Sequence, residues 1–110
     1  MPVWQNAMDL SEIIFHLSTS LPKSEDYGLT SQIRRSSNSV SANIAEAFGR
    51  KHKKDKSRFY HISRGSTFET QSHLLYGNKV GYFNKEEIDS LFNKYNNLIH
   101  DLNKILKSLE

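Results

Sequence analysis

Six basic side chains, Arg50, Lys51, Lys53, Lys54, Lys56 and Arg58, fall within nine positions that contain one acid, Asp55. Ammonium and guanidinium groups packed this densely suit phosphate oxygens, which they neutralise without reading base identity. The plainer alternative is a solvated turn between two helices. Arg34 and Arg35 extend the set. From Arg34 to Arg64 there are nine Lys/Arg against two acids, Glu46 and Asp55, a local balance of +7. The remaining residues carry six basic and ten acidic groups, −4, which leaves the net charge of +3. Such an asymmetry points to an anionic partner more directly than the total does. Tyr60, with Tyr27 or Tyr82, is the candidate for stacking on an unpaired base, because Phe59 falls on an apolar stripe.

A second polar group lies upstream. Asn43 and Glu46 are three residues apart and Glu46 precedes Arg50 by four, so they share a helical face; Gln32, Arg35 and Ser39 neighbour one another by the same spacing. Gln32, Arg35, Asn43 and Glu46 are therefore candidates for a small pocket or a subunit interface, against the alternative of an exposed face with local ion pairs. Catalytic patterns are absent. His16, His52, His61, His73 and His100 are scattered, and no two of them form the i, i+4 histidine pair that, with a nearby carboxylate, a helical zinc site requires. No G-x-S-x-G elbow, phosphate-binding glycine loop or dinucleotide fingerprint occurs. The sequence predicts a protein that is not an enzyme and takes no metal or cofactor.

Several helices must position these groups. With 110 residues and no cysteine, the chain predicts one domain over residues 1–110, without disulfide bridges or thiol chemistry. Its longest apolar run, Ile13-Ile14-Phe15, excludes a membrane span. The first residues lack a signal-peptide layout, so a soluble, cytoplasmic protein is expected. Helical periodicity appears four times, at approximately 3–21, 28–48, 55–81 and 85–108. Trp4, Ala7, Met8, Leu10, Ile14, Leu17 and Leu21 make the first stripe, and Pro22 its stop. Leu29, Ile33, Val40, Ile44 and Phe48 carry one face through a serine-rich stretch that propensity alone would assign to a loop. There Ser36, Ser37, Ser39, Ser41, Ala42 and Ala45 serve as small residues for close helix approach. Phe59, Ile62, Ser66, Glu69, His73, Tyr76 and Val80 form the third stripe, which Phe68, Leu74 and Leu75 widen; Gly77 either kinks that helix or ends it. Ile88, Leu91, Tyr95, Leu98, Leu102, Ile105 and Leu109 form the fourth, with Asn84 as its cap three residues before Glu87. Four such helices joined by short turns predict an all-α, antiparallel four-helix bundle.

The segments Tyr27-Gly28-Leu29, Gln32-Ile33-Arg34-Arg35, Ala42-Asn43-Ile44-Ala45-Glu46, Gly49-Arg50 with the lysine run, and Gly65-Ser66 with Glu69 occur in one order. In this the chain resembles the small four-helix-bundle proteins encoded by intervening sequences within bacterial 23S ribosomal RNA genes. Ser41 and Ala47 depart from the pattern, standing where proline and glycine are usual, and both changes favour a more regular helix. The resemblance implies a homo-oligomeric ring, with five subunits the expected number. It also extends distantly to the pentameric accessory proteins of diversity-generating retroelements, which are basic, bind nucleic acid and partner a reverse transcriptase.

The expected function is non-catalytic, oligomeric nucleic-acid binding, with RNA or single-stranded segments weakly favoured and the choice between RNA and DNA open. Arg34, Arg35, Arg50, Lys51, Lys53, Lys54, Lys56 and Arg58 are the expected phosphate contacts. The competing expectation is an oligomeric scaffold for another protein, such as a polymerase, without direct nucleic-acid binding. A third is a small-molecule or enzymatic role for a polar pocket around Gln32, Arg35, Asn43 and Glu46.

Overall fold

A computed structural model describes residues 1–110. It contains four long helices, α1 (Pro2–Ser18), α2 (Leu29–Gly49), α3 (Lys53–Lys79) and α4 (Lys85–Ser108), with a short 3-10 turn at Lys23–Glu25 and no strand. Each helix packs on its neighbours in sequence, and α1 closes against α4 to complete the bundle. No helix is long and apolar enough to cross a membrane. Ile14, Ile33, Val40, Ile44, Leu74, Tyr95 and Leu102 have no exposed surface and lie at the centre of the core. Burial of each such aliphatic side chain is worth about 1.5–3 kcal/mol.

Helix ends follow local chemistry. α1 stops at Ser18, short of the expected residue 21, because the hydroxyls of Ser18, Thr19 and Ser20 donate back to the carbonyls of Phe15, His16 and Leu17 at 2.8, 2.6 and 3.0 Å. Three consecutive side chains thus compete with the helical ladder before Pro22 is reached. α3 begins at Lys53, earlier than the expected residue 55, and ends at Lys79. Its close is a Schellman motif: Gly81, at φ 89°, donates to Asn78 O at 3.1 Å, and Tyr82 donates to Gly77 O at 2.8 Å. Gly77 therefore lies inside the last turn rather than ending the helix, and a Cβ there would collide with the Phe83 ring. At the start of α4, the Asn84 side chain accepts from Glu87 N at 2.9 Å, the expected cap.

The third stripe is rotated from its expected phase. Tyr60, Ser63, Thr67, Thr70, Leu74 and Gly77 face inward, while Ile62, Phe68, Leu75, Tyr76 and Val80 are exposed, and Glu69 and His73 lie at the edge. Hydroxyls take the inner face because each finds a partner there. Ser63 donates to Val40 O at 2.8 Å, Thr70 to Ser36 Oγ at 2.8 Å, and Thr67 to Ser63 O at 3.0 Å. Buried hydroxyls satisfied in this way cost little, and their small size lets α3 approach α2 closely. Ser36, Ser37 and Ser41 are buried as expected, Ser36 in that seam, whereas Ala42 and Ala45 are exposed. α2 runs unbroken through Ser41 and Ala47, both buried.

Candidate nucleic-acid interface

The up-and-down order of helices brings the C-terminus of α2, the N-terminus of α3, the N-terminus of α1 and the C-terminus of α4 to one end of the molecule. Arg50 and Lys51 occupy the turn there, Lys53 and Lys54 open α3, and Arg58 follows one turn later; all five are exposed. The Arg50 and Arg58 guanidinium carbons lie 4.7 and 4.4 Å from the Phe59 ring centroid, so one half-buried ring supports both cations. Arg50 also approaches Glu46 at 3.4 Å.

Three of the eight expected phosphate contacts do other work. Lys56 is half-buried, and its Nζ donates to Ala47 O at 3.1 Å and Phe48 O at 3.2 Å. It closes the C-terminus of α2, where free carbonyls and the helix dipole favour a cation. Arg34 lies over the Phe15 ring at 4.6 Å and donates from Nε to Ser18 Oγ at 2.7 Å. Arg35 donates to Gln32 Oε1 at 3.1 Å and pairs with Glu69, which also meets His73 at 3.3 Å. Arg34 and Arg35 stand roughly 22–24 Å along α2 from the turn, at 1.5 Å per residue.

Two side-chain sets reach the basic end that the sequence pattern did not single out. Lys104 and Lys107 are exposed on the last turns of α4, Lys107 beside Ser57 and Arg64 of α3, and Arg64 ties the helices by donating to Asn103 Oδ1 at 2.7 Å. Antiparallel topology was the available signal, since it places the end of a fourth helix beside the start of the third. The other is aromatic. Phe48, counted in the core stripe of α2, is 69% exposed at the end of that helix. The tyrosines expected to stack lie elsewhere. Tyr60 is in the core, where burial pushes its phenol pKa up, Tyr82 donates to Glu25 at the opposite end at 2.9 Å, and the exposed Tyr27 adjoins the 3-10 turn there.

The polar residues of α2 do not enclose a common cavity. Asn43 donates to Ser39 O at 2.8 Å, Ser39 bonds Ser66 at 2.9 Å, and Glu46 pairs with Arg50. These bonds run along the α2–α3 seam. Of Gln32, Arg35, Asn43 and Glu46, only Arg35 borders the open cleft between α1 and α2, alongside Phe15, Arg34 and Asn38.

An all-α protein of four packed helices, basic at one end and held by a hydroxyl seam, is the class these features define. The profile of the 23S rRNA-intervening sequence proteins matches residues 1–104, and the chain belongs to that family. A solved structure has the same fold: a protein of unknown function from the S23 ribosomal protein family of Bacteroides thetaiotaomicron. It aligns with a TM-score of 0.89 over 96% of this chain and 98% of that one, at 24% identity. No curated protein matches the chain.

Proposed function

We propose that this protein is a non-catalytic nucleic-acid-binding protein that holds phosphates at its basic end and works as a homo-oligomer. One observation carries the binding. Arg50, Lys51, Lys53, Lys54 and Arg58 converge on one exposed surface, with Lys104 and Lys107 beside them, while Glu46, Asp55 and Glu110 are the nearby acids. Lys53 and Lys54 also sit in the first turn of α3, where a helix dipole disfavours cations. Placing them there is unfavourable for the isolated fold and becomes favourable once an anion is bound.

Assembly is favoured by the outward face of α3. Ile62, Phe68, Leu75, Tyr76 and Val80 are each 41–54% exposed along this one helix. A run of large apolar side chains on a surface helix suits a protein interface. A ring of five, the number the family resemblance implies, would gather five basic ends and add their phosphate contacts. A protein partner such as a polymerase remains the second reading, since the same face of α3 would serve it.

The test is a fluorescence-anisotropy titration with labelled RNA and DNA across a salt series, with light scattering of the same samples for mass. Five charges on a single strand give a log–log salt slope of about −3.5. The Lys51→Glu, Lys53→Glu, Lys54→Glu variant should bring the slope to about −1.4 or abolish binding, at unchanged helicity and mass. Lys56 is left intact because of its structural bonds. Unaltered binding by that folded variant would refute the phosphate-holding end. A monomeric mass at every salt concentration would refute the ring.

A further inference from the structure

An apolar cleft of about 260 Å³ opens at the same end of the bundle, between the first turn of α1 and the last turn of α2. Met1, Trp4, Ile44, Ala45 and Phe48 line it, and the Trp4 indole N–H is the one hydrogen-bonding group among their side chains. Phe48 is its most exposed wall, at 69%. The Phe48 carbonyl accepts from Lys56, and Lys51 lies three residues on, a separation of at most about 11 Å between Cα atoms.

We propose that this cleft receives one unpaired nucleobase, stacked on Phe48, while the adjoining Arg50 and Lys51 hold its phosphates. The inference rests on the nucleic-acid reading above and names its partner more narrowly: a single-stranded segment or an unpaired end. Three observations favour a base over other occupants. The cleft is smaller than the roughly 300–1,000 Å³ of sites for drug-sized molecules, which suits one flat ring system. The Lys56 ammonium on the Phe48 carbonyl and Lys51 three residues on bring positive charge close to the cleft, so a nucleotide gains from wall and charge together, whereas an apolar peptide side chain gains from the wall alone. Its walls offer one side-chain hydrogen-bonding group, the Trp4 indole N–H, so they engage chiefly the π face and cannot tell the four bases apart by their edges. That is the arrangement of sequence-tolerant single-strand binding, in which aromatic stacking accompanies a basic track. A base inside a duplex has both faces covered and cannot enter.

Trp4 is the only tryptophan and lines the cleft, so it reports occupancy directly. The experiment follows Trp4 fluorescence and oligonucleotide anisotropy in parallel, using the full chain. The probes are a mixed-sequence twelve-nucleotide RNA without self-complementarity and the same RNA annealed to its complement. The single strand should change Trp4 emission, and the duplex should bind through charge without that change. Phe48→Ala should weaken single-strand binding about 5- to 150-fold, the range for loss of one stacked base. Its salt slope and its duplex affinity should stay as in the wild type.

Equal single-strand affinity in Phe48→Ala, with binding lost in the Lys51→Glu, Lys53→Glu, Lys54→Glu variant, overturns the stacking proposal and leaves the phosphate-binding reading standing. No binding of either probe by the wild type removes both. Loss of oligomeric mass in Phe48→Ala would make the cleft a contact between copies and also overturn the proposal. The same Trp4 change with duplex as with single strand would overturn the requirement for an unpaired base.

Discussion

The end of the bundle where α1 passes to α2 and α3 to α4 is tied by specific bonds, whereas the opposite end is left charged and open. At the tied end, Glu25 accepts from Leu29 N at 3.0 Å and from Tyr82 OH at 2.9 Å, joining the two connections. Asn78 donates to Phe83 O at 3.1 Å, the Schellman turn closes at Gly81, and the Phe83 ring covers Gly77. At the open end, α2 passes to α3 through Arg50, Lys51 and His52, and His52 caps α3 without a side-chain bond. Lys56 alone bridges the two helices there. The contrast separates two demands on one small domain: register and closure are secured at one end, and the other is free to carry charge that folding does not need.

Breaking the tied end should have the largest effect. Phe83 is 4% exposed and packs on both the core and Gly77. Phe83→Ala should cost about 3–5 kcal/mol in a urea unfolding experiment, from lost burial and the cavity left behind. The Lys53→Glu, Lys54→Glu pair, at the other end, should change stability by less than about 1 kcal/mol, and toward greater stability at low salt, because acids suit the first turn of α3. Stability and phosphate affinity then move in opposite directions at the open end. Lys56→Met, two residues away, should behave like a tied-end variant and lose about 1–2 kcal/mol, since it uncaps α2. A marked loss of stability in the Lys53/Lys54 variant would erase the distinction between the ends.

Legibility in the sequence follows the same physics. α4 was readable to its residue limits, because its inward face is aliphatic, Ile88, Leu91, Leu98 and Leu102, and its cap is an Asn with a partner three residues on. α3 was legible as a helix but not in its rotation. A hydrophobicity pattern assigns the core to Ile62, Tyr76 and Val80, and it cannot foresee that Ser63, Thr67 and Thr70 each find an acceptor inside. Those acceptors lie partly on another helix, so the information is tertiary. Basic composition at the α2–α3 turn was equally plain. The roles of Lys56 as a cap and Phe48 as an exposed ring were not, because both depend on where the last turn of α2 ends. Tyr95 shows a further limit: its hydroxyl is buried without a partner, and desolvation raises its pKa, although its spacing alone marks it as ordinary core.

The smallest expected effect concerns acid. The Leu29 backbone N–H, and then the Tyr82 hydroxyl, hold the Glu25 carboxyl below its usual value, and each bond favours the ionised form. A depressed folded-state pKa means that the unfolded chain binds the proton more readily. The stabilisation is therefore complete above the ordinary carboxylate pKa of about 4.3 and fades as pH falls through the lower folded value. Glu25 is accessible to solvent, so the whole-molecule change should be slight and is best read locally. Amide exchange at Leu29, normalised for the intrinsic acid dependence, should lose protection as pH drops from 5 toward 3. Glu25→Gln should be less protected throughout and lack that acid step, while amides at the start of α3 stay unchanged in both proteins. An acid step of equal size at the α3 N-terminus would mean that the two ends open together, and that the bonds at one do not act independently of the charge at the other.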